Sequence, residues 1–297
     1  MLDDDPAFAA LHPHKVTRAV AFGVLDARKE TPTAAAKLRS LFGGAWDYAL
    51  DAGAIDTETN NHWRTVMRGR LKSRGKRVGG KHQGRKRRVL QAAEVGPLLA
   101  WLPNMHELGR DMTIMYLWTC TRGAEIVGLR PALVSQEPDG WWWTIPKAET
   151  KNANVEGAVD LRVPLIGAAL RVVQKRLAKV GASGWLFEDM RGEQYQQKDF
   201  STYIYSLQPY SVKVMGRASQ GLVLPVSGWS PHNLRRTGRT LLAGLGCLDE
   251  IGEAILGHVP PGQVATYNAH TYDAERRYWL GRLSDFLEAL SGVPALP

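Results

Sequence analysis

Residues 230–236 read SPHNLRR, and this stretch decides how the rest of the chain is interpreted. Ser230 and Pro231 form a typical helix start, because serine caps the first turn and proline suits the first helical position. His232 and Arg235 are three residues apart and therefore lie on one face of that helix, beside its positive end. Two cationic groups in that position can grip one phosphate. A capping or packing role for the histidine stays open.

A second stretch with an arginine at a predicted helix start is TRGAEIVGLR at 121–130. Thr121 is the predicted cap and Arg122 lies in the first turn, where a cation opposes the helix dipole. A bound anion would remove that conflict, because the helix terminus and the guanidinium would both favour it. Glu125 shares a face with Arg122 and is predicted to brace it. A surface ion pair without a ligand is the alternative.

A lysine on a hairpin loop is the predicted proton donor. Lys151 lies between two predicted strands, Trp141–Pro146 and Val155–Leu165. A mobile ammonium group in that position could protonate a leaving oxygen. The long loop Ala153–Asp160 and the nearby Lys147 leave the assignment open, since most loop lysines simply face water.

A histidine and a tyrosine complete the set. LGH at 256–258 presents His258 where a helix ends, and Tyr267 follows nine residues later. A free tyrosine is a poor nucleophile at neutral pH because its pKa is about 10. Clustered cations would stabilise both its phenolate and the charge that develops on phosphorus. Tyr272, with His270 beside it, is the rival nucleophile, and a half-buried core tyrosine is the other possibility.

Positive charge is concentrated upstream of this set. The 297-residue chain has a formal net charge of +9, while residues 64–90 hold twelve Lys/Arg and no Asp/Glu, so the remainder sums to −3. A polyanion would bind such a run by releasing condensed counterions. A solvated basic linker is the alternative. The candidate DNA-binding side chains are Arg64, Arg68, Arg70, Lys72, Arg74, Lys76, Arg77, Lys81, Arg85, Lys86, Arg87, Arg88, Arg236 and Arg239.

The composition is that of a folded protein from a reducing compartment. The 44% apolar fraction suits a globular core, and Cys120 and Cys247 cannot build a disulfide framework. The apolar stretches are too short to span a bilayer, and the acidic first residues lack a signal-peptide pattern. We therefore expect a cytoplasmic, nucleoid-associated protein with no membrane contact.

Apolar periodicity divides the chain near residue 90. Before it, helices are predicted at 31–53, Val16–Arg28 and Thr59–Ser73, followed by a linker at Gly75–Gly84. After it, helices are predicted at Ala92–Leu102, Met105–Thr119, Lys198–Leu207, Asn233–Leu245, Leu248–Leu256 and Asp273–Leu290. The predicted strands are Trp141–Pro146, Val155–Leu165 and Trp185–Phe187. The fold class is therefore α+β, a mainly helical domain with a small antiparallel sheet.

The set as a whole resembles the tyrosine recombinase, or phage integrase, family. The matching residues are Arg122 with Glu125, Lys151 between strands, His232–Arg235, Leu256–His258 and Tyr267. The spacing of nine residues from histidine to tyrosine matches the family and favours Tyr267 over Tyr272. Tyr267–Arg277 is similar to integrases of prophages and genomic islands. The resemblance covers residues 90–290 with high specificity and residues 31–90 with lower specificity.

The resemblance implies an enzyme that cuts and rejoins DNA without a metal or cofactor. Tyr267 would attack the scissile phosphate, giving a 3′-phosphotyrosyl link and a free 5′ hydroxyl. The implied supporting residues are Arg122, Arg235 and His258 on the phosphate oxygens, Lys151 as proton donor to the leaving oxygen, His232 as proton carrier at the tyrosine, and Glu125 as a brace. The sequence has no Walker loop and no carboxylate cluster for two metals, which agrees with this chemistry.

The implied domains are a partial helical core-binding domain with a basic linker at 1–89 and a catalytic domain at 90–297. We expect either a fragment of a longer integrase or a minimal form, with Met1–His14 as a remnant rather than a structured element. The implied partners are double-stranded DNA attachment sites, a homotetramer on DNA, and a DNA-bending or directionality factor for a mobile element. The apolar face of the C-terminal helix suits docking on its own domain and on a neighbouring protomer equally.

Two other functions stay open at this point. A type IB topoisomerase shares the chemistry and relaxes supercoiled DNA without strand exchange. A DNA-binding regulator derived from an integrase would keep the shell and lack catalysis.

Overall fold

The chain divides between Lys86 and Arg87 into two units in the computed structural model. The structure describes residues 5–72, 88–212, 216–259 and 271–292, together with the backbone at 77–78 and 81–82. Tyr267 and His270 lie outside the described residues. So do the candidate DNA-binding side chains of Arg74, Lys76, Arg77, Lys81, Arg85, Lys86 and Arg87.

Three helices form the first unit: α1 (Pro6–Ala9), α2 (Arg18–Asp26) and α3 (Pro32–Asp51). The helix predicted at 31–53 is confirmed, with its proline at the start, and Gly53 leaves it at a φ of +65° that suits glycine. The buried core of this unit consists of Val16, Ala21, Leu25, Ala35, Leu38, Trp63 and Val66. Within the predicted linker, β1 (Arg77–Val78) pairs antiparallel with β2 (Lys81–His82).

The prediction of a helix at Thr59–Ser73 is wrong. Only His62–Arg64 forms a 3-10 turn, and the backbone then adopts positive φ angles of +50° at Met67 and +76° at Gly69. A right-handed helix excludes such angles. The apolar residues of this stretch reach the core from successive turns instead, with Trp63 and Val66 buried in it and Met67 and Leu71 packed against it.

The prediction that Met1–His14 is a remnant rather than a structured element is wrong for residues 5–14, the part of this stretch that the structure describes. Helix α1 begins at Pro6, capped by the side chain of Asp5. The Phe8 ring packs edge-on against Phe42 and Trp63, with ring centroids 5.5 and 5.9 Å apart. This segment therefore contributes to the hydrophobic core of the first unit.

The second unit is α+β, as predicted. Its antiparallel sheet has the order β3 (Val134–Glu137), β4 (Gly140–Ile145), β5 (Leu161–Leu165). Its helices are α4 (Ala92–Trp101), α5 (Glu107–Thr119), α6 (Gly123–Val127), α7 (Gly167–Leu177), α8 (Gln197–Ser206), α9 (Pro231–Gly244), α10 (Asp249–Ile255) and α11 (Asp273–Ser291).

Helix α5 is the centre of this unit. Nine of its thirteen residues are buried, and it packs against α7, α9 and α11. A helix that is covered on nearly all sides is typical of a core element. Its C-cap, Cys120, has a φ of +55°, in the left-handed region, so the chain turns sharply there and delivers Arg122 to the start of α6.

Three details of the second unit differ from prediction. The strand predicted at Val155–Leu165 forms only at Leu161–Leu165, because residues 151–157 make a series of turns. Trp185–Phe187 is not a strand, although Leu186 N donates one backbone hydrogen bond to Leu129 O. Strand β3 and helix α7 were not predicted.

The C-terminal helix α11 docks on its own unit. Leu283 and Leu287 are fully buried, and Trp118 Nε1 of α5 donates to Ser284 Oγ at 3.1 Å. Arg276 is buried and donates to the carbonyls of Arg162 and Ala254, at 3.3 and 3.2 Å. The start of α11 is also tied to the sheet, because Arg162 Nε donates to Asp273 Oδ2 at 2.7 Å.

None of the helices in the described ranges is both long enough and apolar enough to cross a membrane.

Candidate active site

Arg122 and Glu125 lie at the two ends of the first turn of α6. The Arg122 backbone N–H donates to Glu125 Oε2 at 2.6 Å, and Arg122 Nη1 donates to Oε1 at 2.7 Å. The Glu125 side chain is only 2% exposed, while that of Arg122 is 20% exposed. The carboxylate is therefore a buried brace that holds the guanidinium at the protein surface.

Arg235 is the most buried cation of the site, with 3% of its surface exposed. Its Nη1 donates to Cys120 O at 2.6 Å, and its Nη2 donates to Leu256 O at 2.7 Å. Both partners are neutral, and Glu125 Oε2 stands 3.9 Å from Nη1. Burial, and then the charge of Arg122, lower the pKa of Arg235 to about 10, so the guanidinium is still charged at neutral pH. An anion bound beside it would compensate a charge that the fold compensates only in part.

His258 follows α10 and contacts Arg235. Its Nε2 lies 3.4 Å from Arg235 Nη2, and its Nδ1 lies 2.5 Å from Glu253 Oε2. The side chain is 44% exposed. One ring nitrogen therefore faces the Glu253 carboxylate of α10, and the other faces the Arg235 guanidinium.

His232 lies in the first turn of α9, one turn before Arg235. Partial burial of its imidazole, and then the charges of Arg236, Arg235 and Arg122, lower its pKa. A neutral imidazole at pH 7 can accept a proton. The same cations that would hold a phosphate thus keep this histidine in its basic form.

Lys151 is exposed on the loop between β4 and β5 and has no hydrogen bond or ion pair with the described residues. Its neighbour Asn152 is anchored, because Asn152 Nδ2 donates to Gly257 O at 2.8 Å. Gly257 is the residue before His258. The loop is therefore fastened beside the histidine, with the lysine side chain exposed on it.

The structure thus brings together four segments distant in sequence. Arg122, Arg235 and His258 are connected by direct contacts or through Glu125, and His232 shares a helix with Arg235. Lys151 is connected through Asn152. The rival tyrosine, Tyr272, caps α11 in the left-handed region, with a φ of +56°, and its hydroxyl donates to Glu250.

Two features of the site were missed from the sequence. Glu253, the partner of His258, also accepts from Arg239 Nε at 3.3 Å. Gly123 is the other, because a Cβ at this position would come within 1.8 Å of the Tyr116 hydroxyl oxygen. Only glycine therefore fits between Arg122 and the buried tyrosine. For Glu253 the sequence did contain a signal, because this acidic residue lies five positions before His258, close to the end of the same predicted helix.

The candidate DNA-binding cations fall into two groups. Arg68, Arg70 and Lys72 of the first unit are exposed and have no ion pair with the part of the chain that is described. Arg236 is partly exposed on α9. The other described candidates are paired within the fold, namely Arg64 with Asp47, Arg88 with Glu94, and Arg239 with Asp249 and Glu253.

Across the described ranges, no group of three or more His, Cys, Asp or Glu side chains has the arrangement of a metal site.

Comparison with known proteins gives structural matches only. No protein-family model matches the chain, and no curated protein matches it in sequence. Among solved structures, the Tn1549 transposon integrase in complex with circular intermediate DNA superposes over 92% of this chain and 89% of its own, with a TM-score of 0.60 and 15% identity.

Two lambda integrase structures are similar to the chain as well. A dimer bound to a COC′ core site covers 83% of this chain and 80% of its own, with a TM-score of 0.55 and 16% identity. A tetramer bound to a Holliday junction covers 82% of this chain and 65% of its own, also with a TM-score of 0.55 and 16% identity. At these identities the likeness establishes the fold alone, and the chain has the α+β fold of these integrases.

Proposed function

We propose that this protein is a site-specific DNA recombinase that cuts and rejoins DNA through a 3′-phosphotyrosyl intermediate on Tyr267. The observation that carries the proposal is the incompletely compensated Arg235. It is buried among carbonyls, with Arg122 and His258 beside it and one carboxylate serving both arginines. Such a group of fixed donors suits the charge that develops on a phosphate oxygen during transfer.

Each step then has a residue to perform it. The Tyr267 oxygen bonds to phosphorus, and the bond from phosphorus to the 5′ oxygen breaks. His232, kept neutral by its cationic neighbours, accepts the phenol proton. Lys151 gives a proton to the departing 5′ oxygen from its fastened loop. Rejoining reverses these steps with a 5′ hydroxyl as the nucleophile, so the bond energy is conserved and no ATP is needed.

Tyr267 would reach the site from the same chain. The segment that carries it connects His258, held by Glu253 and Arg235, with Asp273, held by Arg162. Both ends of that segment are thus anchored to the second unit. Tyr272, by contrast, has its hydroxyl directed to Glu250 of α10.

Duplex DNA would be the substrate, with several copies of the chain assembled on it. The similar lambda integrase structures are a dimer on a core site and a tetramer on a Holliday junction. The exposed cations Arg68, Arg70 and Lys72 would contact phosphates, with the steep salt dependence that counterion release imposes. Integration or excision of a mobile element, with a DNA-bending or directionality factor, would be the biological outcome.

The decisive experiment is covalent capture. The full chain is incubated with a library of nicked duplexes of random sequence, the protein is captured on beads in denaturant through an affinity tag, and the DNA that is retained with it is sequenced. A nick beside the cut lets the short 5′ strand diffuse away and traps the adduct. The wild-type chain should retain a common sequence, Tyr267→Phe should retain none, and Tyr272→Phe should behave as the wild type.

Three other outcomes would each point elsewhere. Retention by Tyr267→Phe but not by Tyr272→Phe would move the nucleophile to Tyr272. Binding without any denaturant-resistant adduct would indicate a regulator. Adducts combined with relaxation of plasmids, and with no strand exchange between two captured sites, would indicate a topoisomerase.

A further inference from the structure

The Glu253 carboxylate contacts two side chains, His258 and Arg239. Its Oε2 lies 2.5 Å from His258 Nδ1, and its Oε1 accepts from Arg239 Nε at 3.3 Å. Arg239 is held in turn by Asp249, whose Oδ1 accepts from Nη2 at 2.7 Å. The Glu253 carboxylate is thus fixed in position by a buttress that belongs to α9 and α10.

The chemistry of the two partners determines where the histidine proton lies. A carboxylate only accepts hydrogen bonds, so His258 Nδ1 must carry a hydrogen to bond Glu253. A guanidinium only donates, so Nε2, 3.4 Å from Arg235, faces it with its lone pair when no ligand is present. Among the described residues, Glu253 and Arg235 are the charged groups in contact with this ring, and Arg239 lies beyond Glu253. Their arrangement favours the tautomer with hydrogen on Nδ1.

We propose that Glu253 is a positioning residue that holds His258 in this tautomer and orientation, with Nε2 directed at the phosphate site. The inference rests on the proposed function for its catalytic consequence. When a phosphate oxygen enters beside Arg235, a solvent proton taken up on Nε2 lets this nitrogen donate to the oxygen. The hydrogen on Nδ1 stays bonded to Glu253, which balances the added charge.

A pair of substitutions separates an acceptor from a packing role. Glu253→Gln keeps length and one acceptor oxygen, which can face His258 Nδ1 while Arg239 remains bound to Asp249. Glu253→Met keeps length and removes both acceptor oxygens. The Glu253 side chain is 45% exposed, so both variants should fold, and Glu253→Ala serves as a second removal. Asp249→Asn is the matched control, because it removes one negative charge from the same helix, at a side chain that is 93% exposed, and keeps an oxygen that can accept from Arg239.

The first measurement is made without DNA. Nitrogen-15 spectra of histidine-labelled protein, assigned with a His258→Asn variant, distinguish hydrogen on Nδ1 from hydrogen on Nε2. The wild type, Glu253→Gln and Asp249→Asn should show the Nδ1 form, and Glu253→Met and Glu253→Ala should shift towards the Nε2 form. An unchanged tautomer in both removal variants would overturn the proposal.

The second measurement is the rate of adduct formation on the captured duplex. Loss of an orienting partner behind a functional histidine typically lowers activity about 10–100-fold, and we expect that loss for Glu253→Met. Glu253→Gln and Asp249→Asn should stay within about threefold of wild type on the same scale. An equal loss of the rate of adduct formation in Glu253→Gln and Glu253→Met would also overturn the proposal. If the wild type forms no adduct, the proposed function fails while the tautomer experiment still decides the present inference.

Discussion

Arg235 and His232 lie one turn apart on α9, and burial and positive neighbours lower the pKa of both. The consequences differ because the two groups start from different values. Arg235 stays charged and can hold an anion, whereas His232 is driven to its neutral form and can take a proton. One cluster of cations is therefore suited to provide both the binding group and the base of the proposed mechanism.

The dependence of His232 on its neighbours can be tested through Arg236. After burial, Arg236 is the largest cause of the lowered pKa of His232. Removing this charge in Arg236→Gln should raise that pKa. In the proposed mechanism the neutral ring is the proton acceptor, so the rate of adduct formation should rise with pH as His232 loses its proton. The acidic limb of the pH–rate profile should therefore move to higher pH in the variant.

Arg282→Gln on α11 removes the same formal charge from an exposed side chain and should leave that limb in place. A limb that stays fixed in Arg236→Gln, or moves to lower pH, would mean that His232 is not the group whose titration limits cleavage.

At this scale the sequence predicts a contact only where the spacing within one helix decides it. Arg122 and Glu125 are three residues apart, so their pairing followed from helical geometry. Glu253 meets His258 only because the chain turns back after α10, and Gly123 meets Tyr116 only because α5 and α6 pack closely. Such contacts depend on tertiary structure, so they cannot be predicted from the periodicity of apolar residues.

Among the elements, the prediction succeeded where a strong apolar period coincided with start and stop signals. Helix α3 had Pro32 at its start and Gly53 beyond its end, and both signals were correct. It failed at 59–73, where apolar residues at helical spacing are distributed over turns. Strand β3 was not predicted because its side chains are partly or fully exposed, so its sequence shows no apolar alternation. Helix α7 does have an apolar face, at Ala169, Val172 and Val173, and that signal was overlooked.

The loop between β4 and β5 is the element whose position matters most for the chemistry. Asn152 fastens this loop to Gly257, and Lys151 is the residue immediately before Asn152. Asn152→Ala should release the loop and slow adduct formation by about 10–100-fold, which is less than loss of the acid itself, since general acids contribute about 10²–10⁴-fold.

A substrate with sulfur in place of the leaving 5′ oxygen tests whether Asn152 acts through Lys151. A thiolate leaves without a proton, so Asn152→Ala and Lys151→Ala should both approach the wild-type rate on that substrate. Asn154→Ala, an exposed asparagine in the same loop, is the control and should match wild type on both substrates. An equal defect of Asn152→Ala on the two substrates would show that the asparagine does not act through the lysine.

For the second unit as a whole, the packing of the C-terminal helix α11 completes the hydrophobic core. Spacing alone left open whether α11 packs on its own unit or on a neighbouring protomer. In the structure it covers α4, α5 and β5, and Leu280, Leu283 and Leu287 are buried there. Helix α11 thus forms part of the hydrophobic core, and its first residues anchor the segment that carries Tyr267.

This closure predicts a stability effect in the absence of DNA. Leu287→Ala removes a fully buried side chain and should lower the free energy of unfolding of this unit by about 2–5 kcal/mol. Urea denaturation at two protein concentrations tenfold apart measures it, and the loss should be the same at both. Tyr278→Ala, on the exposed side of the same helix, should change the free energy by less than about 0.5 kcal/mol. A helix that docked on another copy would leave the dilute protein unaffected by Leu287→Ala and would make the midpoint depend on concentration.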